Sequence, residues 1–133
     1  GAPPRGGGGG PGRRPPPPHA LLIATPEYNY GPPEVLKNSI DWVSRPPLES
    51  PLRHKPIALM GASTGRMGTV RAQLSLRQTF VFTESYVLLK PEVMLSRAAA
   101  AFDDEGRLVN QTTRDLIEQL LSALVAWARQ VAK

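Results

Sequence analysis

An α/β fold, a parallel sheet flanked by helices, is predicted by three features of the sequence. Short, continuously apolar runs alternate with segments of helical periodicity. The runs lack a polar–apolar alternation, as strands covered on both faces should. The C-terminal segment carries a regular amphipathic stripe that reads as a long helix.

The first strand is HALLIA (19–24), followed by the loop TPEYNYG. A helix is expected near 33–44. Pro33 suits its first position, Glu34 suits the positive N-terminal end, and Val35, Leu36, Ser39, Ile40 and Val43 form its inward stripe. The segment RPPLESPLRHK reads as a loop. IALMGA (57–62) is the second strand and GASTGRMGT its following turn. The next helix spans about 69 to 80, with Thr69 as N-cap and Val70, Leu74 and Phe80 mostly on one face. A third strand is expected around 86–90, extended by PEVML, before a polar connection with a D-E-G turn. The last helix starts near Thr112, whose spacing to Asp115 resembles a capping box. Its inward face holds Leu116, Ile117, Leu120, Leu121, Leu124, Val125, Ala128 and Val131. Such alternation implies right-handed crossovers.

A chain of 133 residues fits one domain, and the absence of cysteine excludes a disulfide framework, a thiolate metal site and a thiol nucleophile. The two histidines, His19 and His54, lie in unrelated settings, which argues against a metal centre. No apolar run approaches the ~18 residues of a membrane span, and the N-terminus lacks the apolar core of a signal peptide. A cytoplasmic protein, without membrane contact, is therefore expected. The net charge of +5 includes Arg5, Arg13 and Arg14 in the first 18 residues; the remainder carries 13 basic and 11 acidic residues. That balance argues against nucleic acid as a partner.

Residues 1–18 hold 7 Gly, 7 Pro, 3 Arg and one Ala, and read as a disordered tail or linker. Pro15 to Pro18 could form a polyproline II segment. Because these four residue types share G/C-dominated codons, a displaced reading frame joined to a genuine domain is the other explanation. Residues 19–133 form the domain.

In parallel sheets ligands bind at the carboxyl ends of the strands, and both unusual loops fall there. Tyr28 and Tyr30 offer flat faces suited to a planar heteroaromatic, Asn29 tolerates a left-handed turn, and Gly31 permits close backbone approach. The alternative is that the tyrosines cover a helix end. GASTGRMGT leads glycines into a helix N-terminus, where N–H groups face anions, but matches neither a P-loop nor G-x-G-x-x-G. Ser63 has no nearby histidine base. Asp41, Asp103, Asp104 and Glu105 read as surface or cap groups, and Trp42 and Trp127 as packing. Arg77 and Glu92 either pair across an interface or face solvent. No catalytic acid–base pair emerges.

TPEYNYGPPEVLKNSIDW, KPIALMGASTGRMGTVRAQLSLRQTFVF and KPEVM together resemble the NADPH-dependent FMN reductase family, a flavodoxin-like group of quinone, azo-dye and chromate reductases. The resemblance covers roughly residues 19–133. It implies that the loop at Pro26, Glu27, Tyr28 and Asn29 wraps the isoalloxazine and ribityl part of FMN, and that Ser63 touches the flavin. It places Arg77 and Glu92 near contacts between subunits of a homodimer or homotetramer. The implied chemistry is hydride transfer from NADPH or NADH to FMN, then electrons to a quinone, azo, nitro or metal-oxyanion acceptor. The cofactor carries this reaction, so no dyad is required.

The family begins with a strand and a phosphate-binding turn of the type G-S-x-R-x-x-S, which no residues here match. In the family's strand order, HALLIA would be the third strand, left here as an exposed apolar edge. Without the phosphate contacts, at about 1.5–3 kcal/mol each, FMN binding would weaken by roughly three orders of magnitude or more. The alternative expectation is thus a truncated, non-catalytic remnant or dimerising module without stable flavin.

Overall fold

A computed structural model describes residues 19–132; the reading of residues 1–18 as a tail lies outside the described residues. In chain order come β1 (Leu21–Thr25), α1 (Glu34–Val43), β2 (Pro56–Ala62), α2 (Val70–Phe82), β3 (Tyr86–Val87), β4 (Val93–Leu95) and α3 (Gln111–Val131). Short 3-10 turns occupy Pro47–Glu49 and Ala98–Ala101. The parallel sheet flanked by helices is present, with β2 at its centre. On one edge β2 pairs with β1, from Leu21 opposite Ile57 to Thr25 opposite Gly61. Its other edge is shared: β3 pairs at Pro56 and Ile57, β4 at Met60, Gly61 and Ala62. The expected strand at 86–90 is therefore two short ones. Pro91, which has no N–H to give to a ladder, falls between them.

Alternating residues of β2 feed two apolar layers. Ile57 and Leu59 pack with Ile23, Ile40, Leu52, Leu76 and Phe80 on the side of α1 and α2. Ala58 joins Val93, Leu120 and Leu124 beneath α3, with Met60, Leu116 and Ile117 around them. Coverage on both faces is why IALMGA reads as an uninterrupted apolar run.

β1 departs from that expectation. Ile23 and Thr25 are buried, but Leu22 is 36% exposed and Ala24 is exposed on the opposite face. α3 lies over β2 and β4 rather than over this face. Among the described strands, nothing pairs with the outer edge of β1. Apolar grooves flank the strand: one of about 340 Å³ lined by Leu21, Ile23, Leu36, Ile40 and Leu52, and one of about 420 Å³ lined by Ala20, Leu124, Val125 and Ala128. Among the described residues HALLIA thus presents the exposed apolar edge that the sequence predicts.

The helices bury narrower strips than their sequences imply. In α1 only Leu36 and Ile40 reach the core; Val35, Ser39 and Val43 are exposed, and Trp42, read as packing, is 77% exposed. In α2 the buried residues are Ala72, Gln73, Leu76 and Phe80, while Leu74 faces outward. α3 is capped by Asn110, whose Oδ1 accepts from the Thr113 N–H at 2.9 Å, so Thr112 is not the cap. Leu121 and Val125 of its stripe are exposed. Trp127 does pack, donating from Nε1 to the Tyr86 carbonyl at 3.0 Å with its ring edge-on to Tyr86.

These burial differences predict opposite outcomes for two leucines. Leu22→Lys is expected to change stability by no more than about 0.5 kcal/mol and to reduce self-association in sedimentation measurements, since charge blunts an open edge. Leu76→Ala is expected to cost about 2–5 kcal/mol in urea denaturation. Equal costs at the two positions would contradict the exposed face of β1.

Candidate functional site

Because β1 and β2 run parallel with Thr25 opposite Gly61, the chain leaves both strands at one rim. Residues 26–33 and 63–69 are therefore neighbours, as the sequence reading required. The first loop closes a tight turn: the Tyr28 N–H donates to the Gly31 carbonyl at 2.9 Å, and the Gly31 N–H to the Tyr28 carbonyl at 3.0 Å. Asn29 and Tyr30 at its centre are left-handed, with φ of 50° and 70°. This is the mirror-image turn that matches strand twist. Asparagine adopts it readily; tyrosine seldom does. The side chains of Tyr28 and Tyr30 stand 62% and 71% exposed. A Cβ at Gly31 would meet only the Tyr28 carbonyl, at 4.0 Å, so the space over this glycine is open.

The second loop is braced from below. Ser63 Oγ accepts from the Gly65 N–H at 3.1 Å, a short side-chain turn. The Ser63 N–H donates to the Leu95 carbonyl at 2.9 Å, and the Ser63 carbonyl accepts from Ala98 at 2.9 Å. Gly68 is left-handed at φ 60°, and a side chain there would press on the backbone of Met94. Gly61 is more constrained still: a Cβ would collide with Thr69 Oγ1 and the Thr25 carbonyl. The start of α2 thus sits directly on the ends of β1 and β2.

Thr69 occupies the N-cap position of α2, but its side chain caps nothing. Its Oγ1 instead accepts from Gln73 Nε2 at 2.9 Å. Gln73 is fully buried and also donates to the Val93 carbonyl at 2.9 Å, while its Oε1 has no partner among the described residues. The cap comes from the first loop: Glu27 Oε1 accepts from the Ala72 N–H at 2.7 Å. Arg71 Nη1 lies 3.9 Å from Glu27 Oε2, and its guanidinium sits 3.8 Å from the centre of the Tyr30 ring.

Of the residues singled out in the sequence, Pro26, Glu27, Tyr28, Asn29, Tyr30, Gly31 and Ser63 are all on this rim. Glu27 differs from the rest in that its carboxylate is turned into the protein, with the side chain only 11% exposed. Arg77 and Glu92 lie apart. Arg77 Nη1 donates to the Leu88 carbonyl at 3.0 Å, and Glu92 pairs with Lys90 Nζ at 2.6 Å. The Lys90 hydrogen bond and charge hold the Glu92 carboxyl below its ordinary range, with a smaller contribution from the Arg77 charge. No local pattern marks Arg71 or Gln73 in the sequence; only the fold shows that they join the two loops and β4. Among the described residues no cluster of three or more His, Asp or Glu could hold a metal ion, and no helix is long and apolar enough to cross a membrane. The rim therefore offers an aromatic plane, small polar groups and backbone amides.

A family model described as NADPH-dependent FMN reductase matches residues 18–100. An NAD(P)H-dependent FMN reductase of Pseudomonas aeruginosa is 58% identical over 112 residues, covering 84% of this chain and 60% of that protein. A quinone reductase of Escherichia coli K12 is 39% identical over 112 residues, covering 84% and 59%. In solved structures, the flavoenzyme NAD(P)H:(acceptor) oxidoreductase FerB of Paracoccus denitrificans superposes with a TM-score of 0.74 at 30% identity, covering 84% of this chain and 62% of that one. The chain thus spans about three fifths of the length of these relatives.

The close seat of α2 makes a stability prediction. Gly61→Ala is expected to cost about 1–3 kcal/mol or more by overpacking against Thr69 and the Thr25 carbonyl. Gly65→Ala, where the nearest atom to a Cβ is Ser63 Oγ at 3.6 Å, is expected to be tolerated. Chemical denaturation of the two variants checks the contrast.

Proposed function

Since this chain belongs to the NADPH-dependent FMN reductase family, we propose that it is the ring-binding part of an FMN-dependent NAD(P)H oxidoreductase acting on quinones. Azo, nitro and metal-oxyanion compounds are further candidate acceptors. The observation that carries this reading is the convergence of two decorated loops on one rim, where the exposed Tyr28 ring has no ring or cation partner among the described residues.

The residues present fit the ring end of FMN. Tyr28 offers an exposed flat face, and the open space over Gly31 leaves its backbone approachable. Asn29 offers both donors and acceptors. Ser63 Oγ lies at the mouth of the second loop, and Pro26 stiffens the exit from β1. The N-terminal end of α2 favours negative charge nearby. FMN held by these residues would supply the redox chemistry, namely acceptance of hydride from NADPH or NADH and delivery of electrons to the acceptor. The protein's share is to orient the ring and exclude water from one side of it.

Arg77 and Glu92 we assign to a contact between copies of the chain, in a homodimer or homotetramer. Their support is the exposed Leu89 and the Lys90–Glu92 pair beside them. A second reading, an interaction module without stable flavin, is favoured by the open edge of β1 and the grooves beside it.

Titration of the chain with FMN, followed by flavin fluorescence, decides between them. Saturable binding in the micromolar range supports the first reading, and the double change Tyr28→Ala, Asn29→Ala is expected to weaken it about tenfold or more. No binding by the unaltered chain favours the second.

A further inference from the structure

We propose that Glu27 and Arg71 are positioning residues, which clasp the first loop onto α2 and so set the attitude of Tyr28 and Asn29. The proposal rests on the reading of this rim as the flavin site.

Three observations lead to it. First, α2 begins without a local cap. Thr69 spends its hydroxyl on Gln73, and the first turn of the helix contains no acidic residue. The unpaired N–H groups and positive end of a helix call for an acceptor and a negative charge. Glu27 supplies both from 45 residues away, through the 2.7 Å bond to the Ala72 N–H. Its side chain is only 11% exposed, so the carboxylate is turned into the protein and away from any ligand above the rim.

Second, Arg71 returns the connection. From the first turn of α2 it reaches the other Glu27 oxygen at 3.9 Å and lies 3.8 Å from the centre of the Tyr30 ring. A guanidinium over an aromatic face is an attractive contact. The loop is therefore held at two points, one before the turn at Glu27 and one within it at Tyr30.

Third, the turn has something to hold. Tyr30 keeps a left-handed backbone that a bulky residue seldom adopts, and Asn29 is left-handed beside it. Conformations of this kind persist where surrounding contacts over-determine them. The clasp supplies those contacts. It also divides the two tyrosines: one face of Tyr30 is taken by Arg71, whereas Tyr28 has no ring or cation partner among the described residues. Tyr28 is the free plane for a ligand, and Tyr30 is the anchor.

The test uses the full 133-residue chain and compares backbone amide exchange by NMR with FMN affinity. Glu27→Ala is expected to speed exchange at Ala72 by about 5–30-fold, the effect of losing a cap. It is also expected to speed exchange at Tyr28 and Gly31 and to weaken FMN about tenfold through lost preorganisation. Glu27→Gln, which still presents an oxygen to Ala72, is expected to restore protection at Ala72. Arg71→Met is expected to loosen Tyr28 and Gly31 while leaving Ala72 protected, and stands in if Glu27→Ala does not fold. Asn110→Ala, which removes the cap of α3, is the control for general destabilisation and is expected to leave FMN affinity unchanged. Loosening at Ala72 alone, with Tyr28 and Gly31 unaffected, overturns the proposal and makes Glu27 a helix cap only. Failure of the unaltered chain to bind FMN counts against the flavin reading, while the amides of Tyr28 and Gly31 still decide the clasp.

Discussion

The close approach of α2 to the ends of β1 and β2 is the constraint on which the rim is built. Gly61 has no side chain, so Thr69 and the Thr25 carbonyl can both close in on the space that a Cβ there would fill. That seating brings the first N–H groups of α2 within reach of the loop leaving β1. Only then can Glu27 meet Ala72 and Arg71 meet Tyr30. The parallel register of the two strands sets which loops are neighbours, and the missing Cβ sets how near they come. A rim assembled in this way is held by backbone and buried polar contacts, which suits a binding surface that must keep its shape.

The sheet supports this rim unevenly. β2 is fixed on both edges and both faces, so the second loop has a firm base, further braced by the bonds from Leu95 and Ala98 to Ser63. Among the described residues β1 is fixed on one edge only, with Leu22 and Ala24 exposed. The first loop, which carries most of the candidate contacts, therefore leaves the less restrained strand. The clasp to α2 partly offsets the open edge by tying the loop to the better-supported half of the molecule.

Much of the architecture was legible in the sequence because continuous apolar runs and helical periodicity report burial directly. IALMGA and the stripe around Leu120 and Leu124 were read correctly on that basis. Errors arose where periodicity is ambiguous. In α2, the pattern points to Leu74 rather than Leu76, because the buried face includes the polar Gln73 and the small Ala72. In α1, the apolar stripe reads as inward, although the helix buries little beyond Leu36 and Ile40. Thr112 matched a capping pattern that Asn110, two residues earlier, satisfies instead. The candidate loops could be found from their composition. Their connection could not, since Glu27 and Ala72 are joined only by the fold, and no local pattern distinguishes a carboxylate that caps a distant helix from one that meets a ligand.

Titrating FMN into isotope-labelled chain while following the backbone amides tests most directly whether the two loops make one site. Concerted shifts at Tyr28, Asn29, Ser63 and Gly65 are predicted, with none at Tyr86 and Trp127 on the opposite rim. Shifts confined to one loop, or centred on the Tyr86 end of the sheet, would contradict a shared flavin site.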